Sequence, residues 1–153
     1  MTGTQILVMI QRIQTIFLFL AAACFAILFM APMATSDKPT AQFLADQVYT
    51  IQDQMVLMGL TLLGVAVSLL TIFLFNNRKL QIKLGYLLMV VAIALPVASY
   101  IFLSKDTASL NATAHIQHQW GMFIPVASIL FAGLAINYIR KDDKLVKSMD
   151  RLR

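Results

Sequence analysis

Four long apolar stretches constrain this chain of 153 residues more than any other feature. They cover Ile16–Met33, Met55–Phe75, Leu84–Leu103 and Trp120–Ile139, and none of them contains Asp, Glu, Lys, Arg or His. Because a helix rises about 1.5 Å per residue, about 20 residues cross a hydrocarbon layer of about 30 Å. Each stretch is therefore predicted to be a transmembrane helix.

The low content of charged residues supports a membrane location for the whole chain. Asp, Glu, Lys and Arg make up 12% of the residues, whereas soluble domains carry roughly 25%. The connections between the stretches are too short for a soluble domain, so we predict one all-α membrane domain over residues 1–153. Its four helices are expected to form an up-down bundle. The predicted spans are 13–33, 54–76, 84–103 and 119–139, followed by a basic tail at 140–153.

The distribution of basic residues predicts how the bundle is oriented. Of the 12 Lys and Arg residues, all but Lys38 and Lys105 fall at one end of the spans. Cytoplasmic segments carry such an excess, which places both termini in the cytoplasm, as in a multi-pass protein of a bacterial inner membrane. The net charge of +5 therefore indicates contact with anionic lipid rather than nucleic acid. The residues assigned to topology or to the membrane interface are Arg12, Arg78, Lys79, Lys83, Trp120, Tyr138, Arg140 and Lys141.

Small residues and prolines indicate where the spans pack or bend. Gly64 and Ser68 lie four residues apart, a spacing that lets two helices approach closely in lipid. Gly59, in the same span, is assigned to helix packing as well. Pro96 and Pro125 are expected to kink the third and fourth spans because proline removes a backbone donor. These two kinks either give the helices their shape or form a mobile joint.

Three segments flank the spans. Residues 1–8 precede Met9, which could itself be a first residue. They are expected to lengthen the first helix or to lie on the membrane. The loop Ala34–Gln54 is expected to form a short interfacial helix, or to extend the second span, rather than to form a strand. The tail is expected to be a basic amphipathic helix on the inner leaflet or on a partner, or else a solvated tail that only sets the topology. Its docking candidates are Lys144, Leu145, Met149, Arg151 and Leu152.

Two histidines are the candidates for a metal or haem site. On a helix, His115 and His118 would present both imidazoles on one face. Zinc takes three or four protein ligands, and only Asp37 and Asp106 could assist the pair. We therefore expect both histidines to be polar loop residues at the level of the lipid headgroups, and no metal or cofactor is assigned.

The spans lack the groups that transport and catalysis need. Ion pathways depend on ionisable residues inside the membrane, and a nucleophile needs a base with an orienting partner. The chain is therefore predicted to be non-enzymatic, an accessory or scaffolding subunit of a larger inner-membrane assembly, with its oligomeric state open. One alternative is a haem- or metal-linked redox subunit, and another is a module that binds a quinone or lipid between the last two spans. The ligand-binding alternative predicts a cavity near Pro96, Ser99, Tyr100, Pro125 and Ser128.

Three segments carry a resemblance to a known family. Met9–Thr15 opens the first span, Arg78–Lys83 follows the second, and Ile139–Arg153 closes the chain. Together with the four spans, these segments resemble the uncharacterised four-helix membrane proteins of Bacteroidota grouped as domain-of-unknown-function family 4293. The resemblance covers most of the chain from Met9 onward. It implies a bacterial inner-membrane location and, because members of that family have no established activity, it assigns no functional residue.

Overall fold

Four helices dominate the fold. The computed structural model describes the backbone of residues 3–37, 46–75, 77–108 and 116–150, and the side chains of 13–37, 46–75, 77–105 and 116–148. The helices are α1 (Gly3–Ile27), α2 (Met55–Phe73), α3 (Arg78–Ala108) and α4 (Ile124–Asp150). The connections contain strands β1 (Ala34–Ser36), β2 (Val48–Tyr49) and β3 (Ile116–His118), and short 3-10 helices at Ile51–Asp53 and Trp120–Phe123.

Each helix runs antiparallel to two neighbours. Helices α1 and α3 both pack against α2 and α4. The segment that follows α1 lies beside the start of α4, where Gly121 N donates to Pro32 O at 3.1 Å. Near the middle of both helices, the ring of Phe17 stacks on that of Tyr138 with centroids 5.5 Å apart. Together with the contact of Arg78 with Asp142 between α3 and α4, these contacts give the up-down order that the apolar stretches predict.

The bundle exposes apolar side chains and buries polar ones. Phe19, Met30 and Phe73 are more than half exposed, whereas Thr61 and Ser68 are fully buried. Exposure to water would cost about 25 cal/mol for each Å² of apolar surface. Lipid removes this cost because its hydrocarbon tails are as apolar as the side chains. The surface is therefore compatible with a membrane protein.

Among the residues whose side chains are described, three helical segments are long and apolar enough to cross a membrane: Met55–Phe73, Arg78–Lys105 and Trp120–Ser148. In the same part of the chain, the apolar segment of α1 is the shorter Ile13–Ile27. Our prediction that the first span reaches residue 33 is wrong, because α1 ends at Ile27. A turn follows, in which Met30 N donates to Ile27 O at 2.9 Å, and the chain then enters the sheet.

A small antiparallel sheet closes the end of the bundle opposite the start of α3, with the strand order β2-β1-β3. In this sheet Ala34 of β1 pairs with Tyr49 of β2 and with His118 of β3. Tyr49, Ile51 and the neighbouring Met33 are fully buried and belong to the hydrophobic core. The prediction of a helix rather than a strand in this loop is therefore wrong at β1 and β2. Only the 3-10 helix Ile51–Asp53 is helical among the described loop residues, so the fold is mostly helical rather than purely all-α.

Gly64 lies in a close contact between α1 and α2. A Cβ atom on Gly64 would lie 2.6 Å from Cδ1 of Phe25, and Ser68 is fully buried. Gly59 differs, because a Cβ atom there would meet nothing within 4 Å. The assignment of Gly59 to packing between the helices of this chain is therefore wrong.

The two prolines occupy different positions in their helices. Pro96 lies inside α3, where proline is expected to bend a helix. Pro125 is the second residue of α4, directly after the 3-10 helix Trp120–Phe123. The N–H groups in the first turn of an α-helix have no partner within that helix, so a proline at this position removes none of its hydrogen bonds. The predicted kink at Pro125 is therefore wrong, and this proline marks where the α-helix begins.

Two helices continue past their apolar segments at the same end of the bundle. Helix α1 begins at Gly3, so residues 3–8 lengthen it. Helix α4 continues to Asp150 without a break. Residues 140–150, which we name the α4 extension, therefore continue the fourth helix, and their predicted contact with the leaflet or a partner stays a prediction.

Candidate functional site

The buried hydroxyl groups of α2 are bonded to their own helix. Thr61 Oγ1 donates to Leu57 O at 2.8 Å, Ser68 Oγ to Gly64 O at 2.7 Å, and Thr71 Oγ1 to Val67 O at 2.6 Å. Each hydroxyl satisfies its hydrogen-bonding need on the carbonyl four residues earlier. The three hydroxyl groups are thus bonded within α2 itself.

One residue of the predicted ligand cavity, Tyr100, lies apart from the buried serines of that group. Ser99 and Ser128 are fully buried, but Tyr100 is 59% exposed. Ser99 Oγ also lies 3.2 Å from Sδ of Met33, so this hydroxyl faces the segment after α1. Tyr100 thus lies on the outer surface, and the grouping that motivated a quinone or lipid cavity is wrong for this residue.

An ion pair joins α3 to α4 at the basic end, which we define as the end where α3 begins and α4 ends. Arg78 Nε lies 2.7 Å from Asp142 Oδ2, and the side chains of Arg78 and Asp142 are 23% and 1% exposed. Beside this pair, Gln81 Nε2 donates to Thr71 O at 3.0 Å and thereby ties α3 to α2. Since Asp142 is buried, the loss of Arg78 would leave an uncompensated charge inside the bundle.

Three oxygens at the basic end are buried without a hydrogen-bond partner in the structure: Gln14 Oε1, Gln81 Oε1 and Asp142 Oδ1. They come from α1, α3 and α4. All three are acceptors. Among the described side chains, the ion pair with Arg78 is the contact that holds Asp142.

Aromatic rings and cations surround the base of the α4 extension. The ring of Tyr138 stacks on Phe17 of α1, and Lys141 Nζ lies 5.4 Å from the centroid of the Tyr138 ring. Arg140 Nη2 donates to Tyr86 Oη, and its guanidinium also lies over the Tyr86 ring. Such pairs suit the depth of a membrane where apolar and polar layers meet. Trp120 is 54% exposed near the other end of the bundle.

The α4 extension lines an open groove of about 480 Å³ with Lys141, Lys144, Leu145 and Ser148. These positions follow the i, i+3, i+4, i+7 spacing and share one face of the helix. The lining is almost wholly apolar, because Ser148 Oγ is turned to Leu145 O at 2.7 Å. Leu145 is 39% exposed. We name this surface the α4 groove.

The α4 groove carries two cations without acidic partners. In the described part of the chain, ion pairs join Arg78 to Asp142 and Lys147 to Asp143. Neither Lys141 nor Lys144 belongs to these pairs. The groove itself is apolar, and Lys141 Nζ lies over the ring of Tyr138. Lys79 and Lys83, at the start of α3, are exposed at the same end of the bundle.

His118 lies in β3 and is exposed. The helical spacing that motivated a pair with His115 therefore does not apply, and His115 lies outside the described residues. Among the residues whose side chains are described, there is no group of three or more His, Cys, Asp or Glu side chains that could hold a metal ion.

Some predicted site residues fall where the structure gives no side-chain information. Arg12 and Met149 lie in α1 and α4, where only the backbone is described, and Arg151 and Leu152 lie outside the described residues. Their assignment to topology or docking stays a prediction. Of the tail candidates, Lys144 and Leu145 are placed together in the α4 groove.

Asp142, Gln81 and Gln14 are not among the site residues predicted from the sequence. Asp142 was one of several charges in a basic tail, and the two glutamines lay just outside the charge-free stretches. A signal exists for Asp142: the buried residues Ala132, Ala135, Ile139 and Asp142 recur every three or four positions. The inward face of the fourth span thus continues into the tail.

One comparison identifies the family of the chain. A family model described as a domain of unknown function (DUF4293) matches residues 10–152. This covers more than half of the sequence, so the chain belongs to that family. Comparisons with curated proteins and with solved structures gave no match.

Proposed function

We propose that this member of the DUF4293 family is a non-enzymatic accessory subunit that scaffolds an assembly in a bacterial inner membrane. The observation that carries the proposal is the combination of an apolar outer surface with a basic segment that continues the fourth helix without a break. Lipid surrounds the bundle, and the α4 extension stands out from it toward a protein partner.

The charge distribution supports an orientation with both termini in the cytoplasm. Arg78, Lys79 and Lys83 begin α3, and Arg140, Lys141, Lys144 and Lys147 lie near the end of α4. The contacts between α3 and α4 bring these two groups to the same end, while Lys105 lies near the end of α3 that faces the other way. An excess of basic residues on one side favours the cytoplasm for that side.

The proposal of a non-enzymatic role is supported by the state of the buried polar groups. The hydroxyls of α2 donate to their own helix, and Asp142 is held by Arg78. These groups are therefore engaged in structure rather than available for acid–base or nucleophilic chemistry. The basic surface serves anionic lipid and protein partners, and no nucleic acid is part of the proposal.

The proposal is tested in native membranes. The full chain is crosslinked in cells, extracted in a mild detergent, and analysed by native electrophoresis and mass spectrometry. We expect a species larger than the chain alone, with crosslinks from the basic end to a second protein. A lone chain, without crosslinks to any protein under conditions that preserve other membrane complexes, would refute the scaffolding role.

A further inference from the structure

An arginine of α4 reaches a tyrosine of α3 on the outer surface of the bundle. Arg140 Nη2 donates to Tyr86 Oη, and the guanidinium carbon lies 5.5 Å from the centroid of the Tyr86 ring. Tyr86 is 44% exposed, and Arg140 is exposed as well. The two helices therefore hold a cation and a phenol together at the surface.

This contact leaves hydrogen-bond donors for a ligand. A guanidinium has five N–H donors, and a phenol that accepts a hydrogen bond still has its own O–H to donate. Of the two ion pairs between described side chains, neither includes Arg140. Arg140 therefore offers a positive charge and further donors beside the O–H group of Tyr86.

Lys83 adds a second positive charge on the same face of α3. It lies three residues before Tyr86 and is exposed, and residues at this spacing have Cβ atoms about 5–6 Å apart. Neither of the ion pairs between described side chains includes Lys83. An anion beside the phenol is thus within reach of Arg140 from α4 and of Lys83 from α3. We name these three residues the α3–α4 seam.

The seam lies where the charge-free part of the bundle ends. Lys83 directly precedes the stretch Leu84–Leu103, and Arg140 directly follows Trp120–Ile139. In a bilayer the headgroup layer begins at this boundary and is about 5–7 Å thick on each side. Because side chains lean toward the N-terminus of their helix, Tyr86 leans out of its apolar stretch and Arg140 leans back toward it. The donors therefore meet at the depth of the lipid phosphates.

An apolar strip of α3 continues from the seam toward the middle of the bundle. Tyr86, Val90, Ile93 and Val97 follow the spacing i, i+4, i+7 and i+11 and share one face of the helix. The last three of them are each more than half exposed. A free anion would use the cations alone, whereas a phospholipid uses the cations for its phosphate and the strip for its acyl chains. This continuity favours a lipid as the occupant.

We propose that the α3–α4 seam binds the headgroup of an anionic phospholipid from the inner leaflet. Arg140 and Tyr86 donate hydrogen bonds to the phosphate oxygens, and Lys83 supplies the second positive charge. The planar guanidinium suits this role because its N–H groups match the geometry of a phosphate. The inference rests on the proposed function only for the membrane position of α3 and α4, and it requires no protein partner.

The test is a lipid titration of the full chain, purified in a mild detergent. Phosphatidylglycerol, phosphatidylcholine or inorganic phosphate is added, and bound lipid is counted by native mass spectrometry. We expect phosphatidylglycerol, which has a net negative charge, to bind more tightly than zwitterionic phosphatidylcholine. Inorganic phosphate at the same concentration should not displace it, because a free anion makes no contact with the apolar strip.

Substitutions at neighbouring positions locate the binding surface. Arg140→Gln should weaken binding of phosphatidylglycerol about tenfold, because a charged hydrogen bond to the phosphate is lost. Lys141→Gln removes the same charge from the next position of α4, where the ammonium group lies over Tyr138 instead. This control should change binding by less than about twofold.

Two further variants separate the geometry of the seam from its charge. Tyr86→Phe should weaken phosphatidylglycerol binding about threefold without any change of charge, because it removes the phenolic hydroxyl. Arg140→Lys keeps the charge but lacks the planar fork of donors, so its affinity should fall between those of the unchanged chain and Arg140→Gln. Far-UV circular dichroism checks that each variant is folded.

Three results would overturn the inference. Equal binding of the two lipids by the unchanged chain would show that the seam does not select an anionic headgroup. Equal losses in Arg140→Gln and Lys141→Gln would assign binding to general electrostatics. Displacement of the lipid by inorganic phosphate would assign the seam to a free anion. No second protein takes part in these measurements, so their failure leaves the crosslinking test of the scaffolding role independent.

Discussion

The contact of Gly64 with Phe25 gives a prediction about the packing of α1 on α2. In Gly64→Ala the new Cβ atom would lie 2.6 Å from Cδ1 and Cε1 of Phe25 and 2.8 Å from Cγ. Carbon atoms prefer a separation of about 3.5–4.0 Å, so the overlap is about 1 Å with three ring atoms. Overpacking of this kind costs about 1–3 kcal/mol.

A matched substitution isolates the steric cost. Gly59→Ala lies in the same helix, but its Cβ atom would meet nothing within 4 Å. Both substitutions gain the same helix propensity, about 1 kcal/mol. The difference between the two variants is therefore the overlap with Phe25 alone, and we expect Gly64→Ala to be less stable than Gly59→Ala by about 1–3 kcal/mol.

The assay is equilibrium unfolding of the full chain in mixed micelles of a mild detergent and SDS, followed by far-UV circular dichroism. Phe25→Leu should reduce the cost of Gly64→Ala, because a smaller side chain replaces the ring, and the double-mutant cycle measures this coupling. Equal stability of Gly64→Ala and Gly59→Ala, or an absence of coupling to Phe25, would refute the packing of α1 on α2 described above.

Two further substitutions probe the ends of the bundle. Arg78→Ala should destabilise the fold by about 3–5 kcal/mol because it leaves Asp142 buried without its partner. Lys79→Ala, at an exposed position, should change the free energy of unfolding by no more than about 0.5 kcal/mol. The same unfolding assay measures both variants, and equal effects would contradict the role of the ion pair. Gly121→Ala should be strongly destabilising, since its Cβ atom would lie 2.4 Å from Pro32 O, a backbone atom that cannot move aside. A melting temperature of Gly121→Ala equal to that of the unchanged protein would contradict this close approach.

The helices of this fold could be predicted from the sequence because their signal is local. Each apolar stretch is long, free of ionisable side chains and bounded by polar or charged residues, which is sufficient to indicate a helix. The sheet could not be predicted in this way. Its strands have two or three residues, too few to show an alternating pattern, and Ala34 pairs with His118 across most of the chain.

The candidate site was predictable in part, because the signal for the tail helix is local as well. The spacing of Leu145 with its lysine neighbours indicated a helix with a docking face, and the structure places Lys144 and Leu145 in the α4 groove. Lys141, assigned from sequence to topology, proves to line the groove as well. The spacing that continues the inward face of the fourth span indicates the burial of Asp142, but its partner Arg78, 64 positions earlier in the chain, could not be predicted from local sequence.

The most direct test of the account concerns the membrane orientation of the bundle. Single cysteines are introduced by Lys79→Cys, Lys105→Cys or Lys147→Cys in a chain that carries Cys24→Ala, and a membrane-impermeant maleimide is added to spheroplasts before and after permeabilisation. We predict that the cysteine at position 105 reacts in intact spheroplasts, while those at positions 79 and 147 react only after permeabilisation. Labelling of positions 79 and 105 from the same side of the membrane would contradict the account.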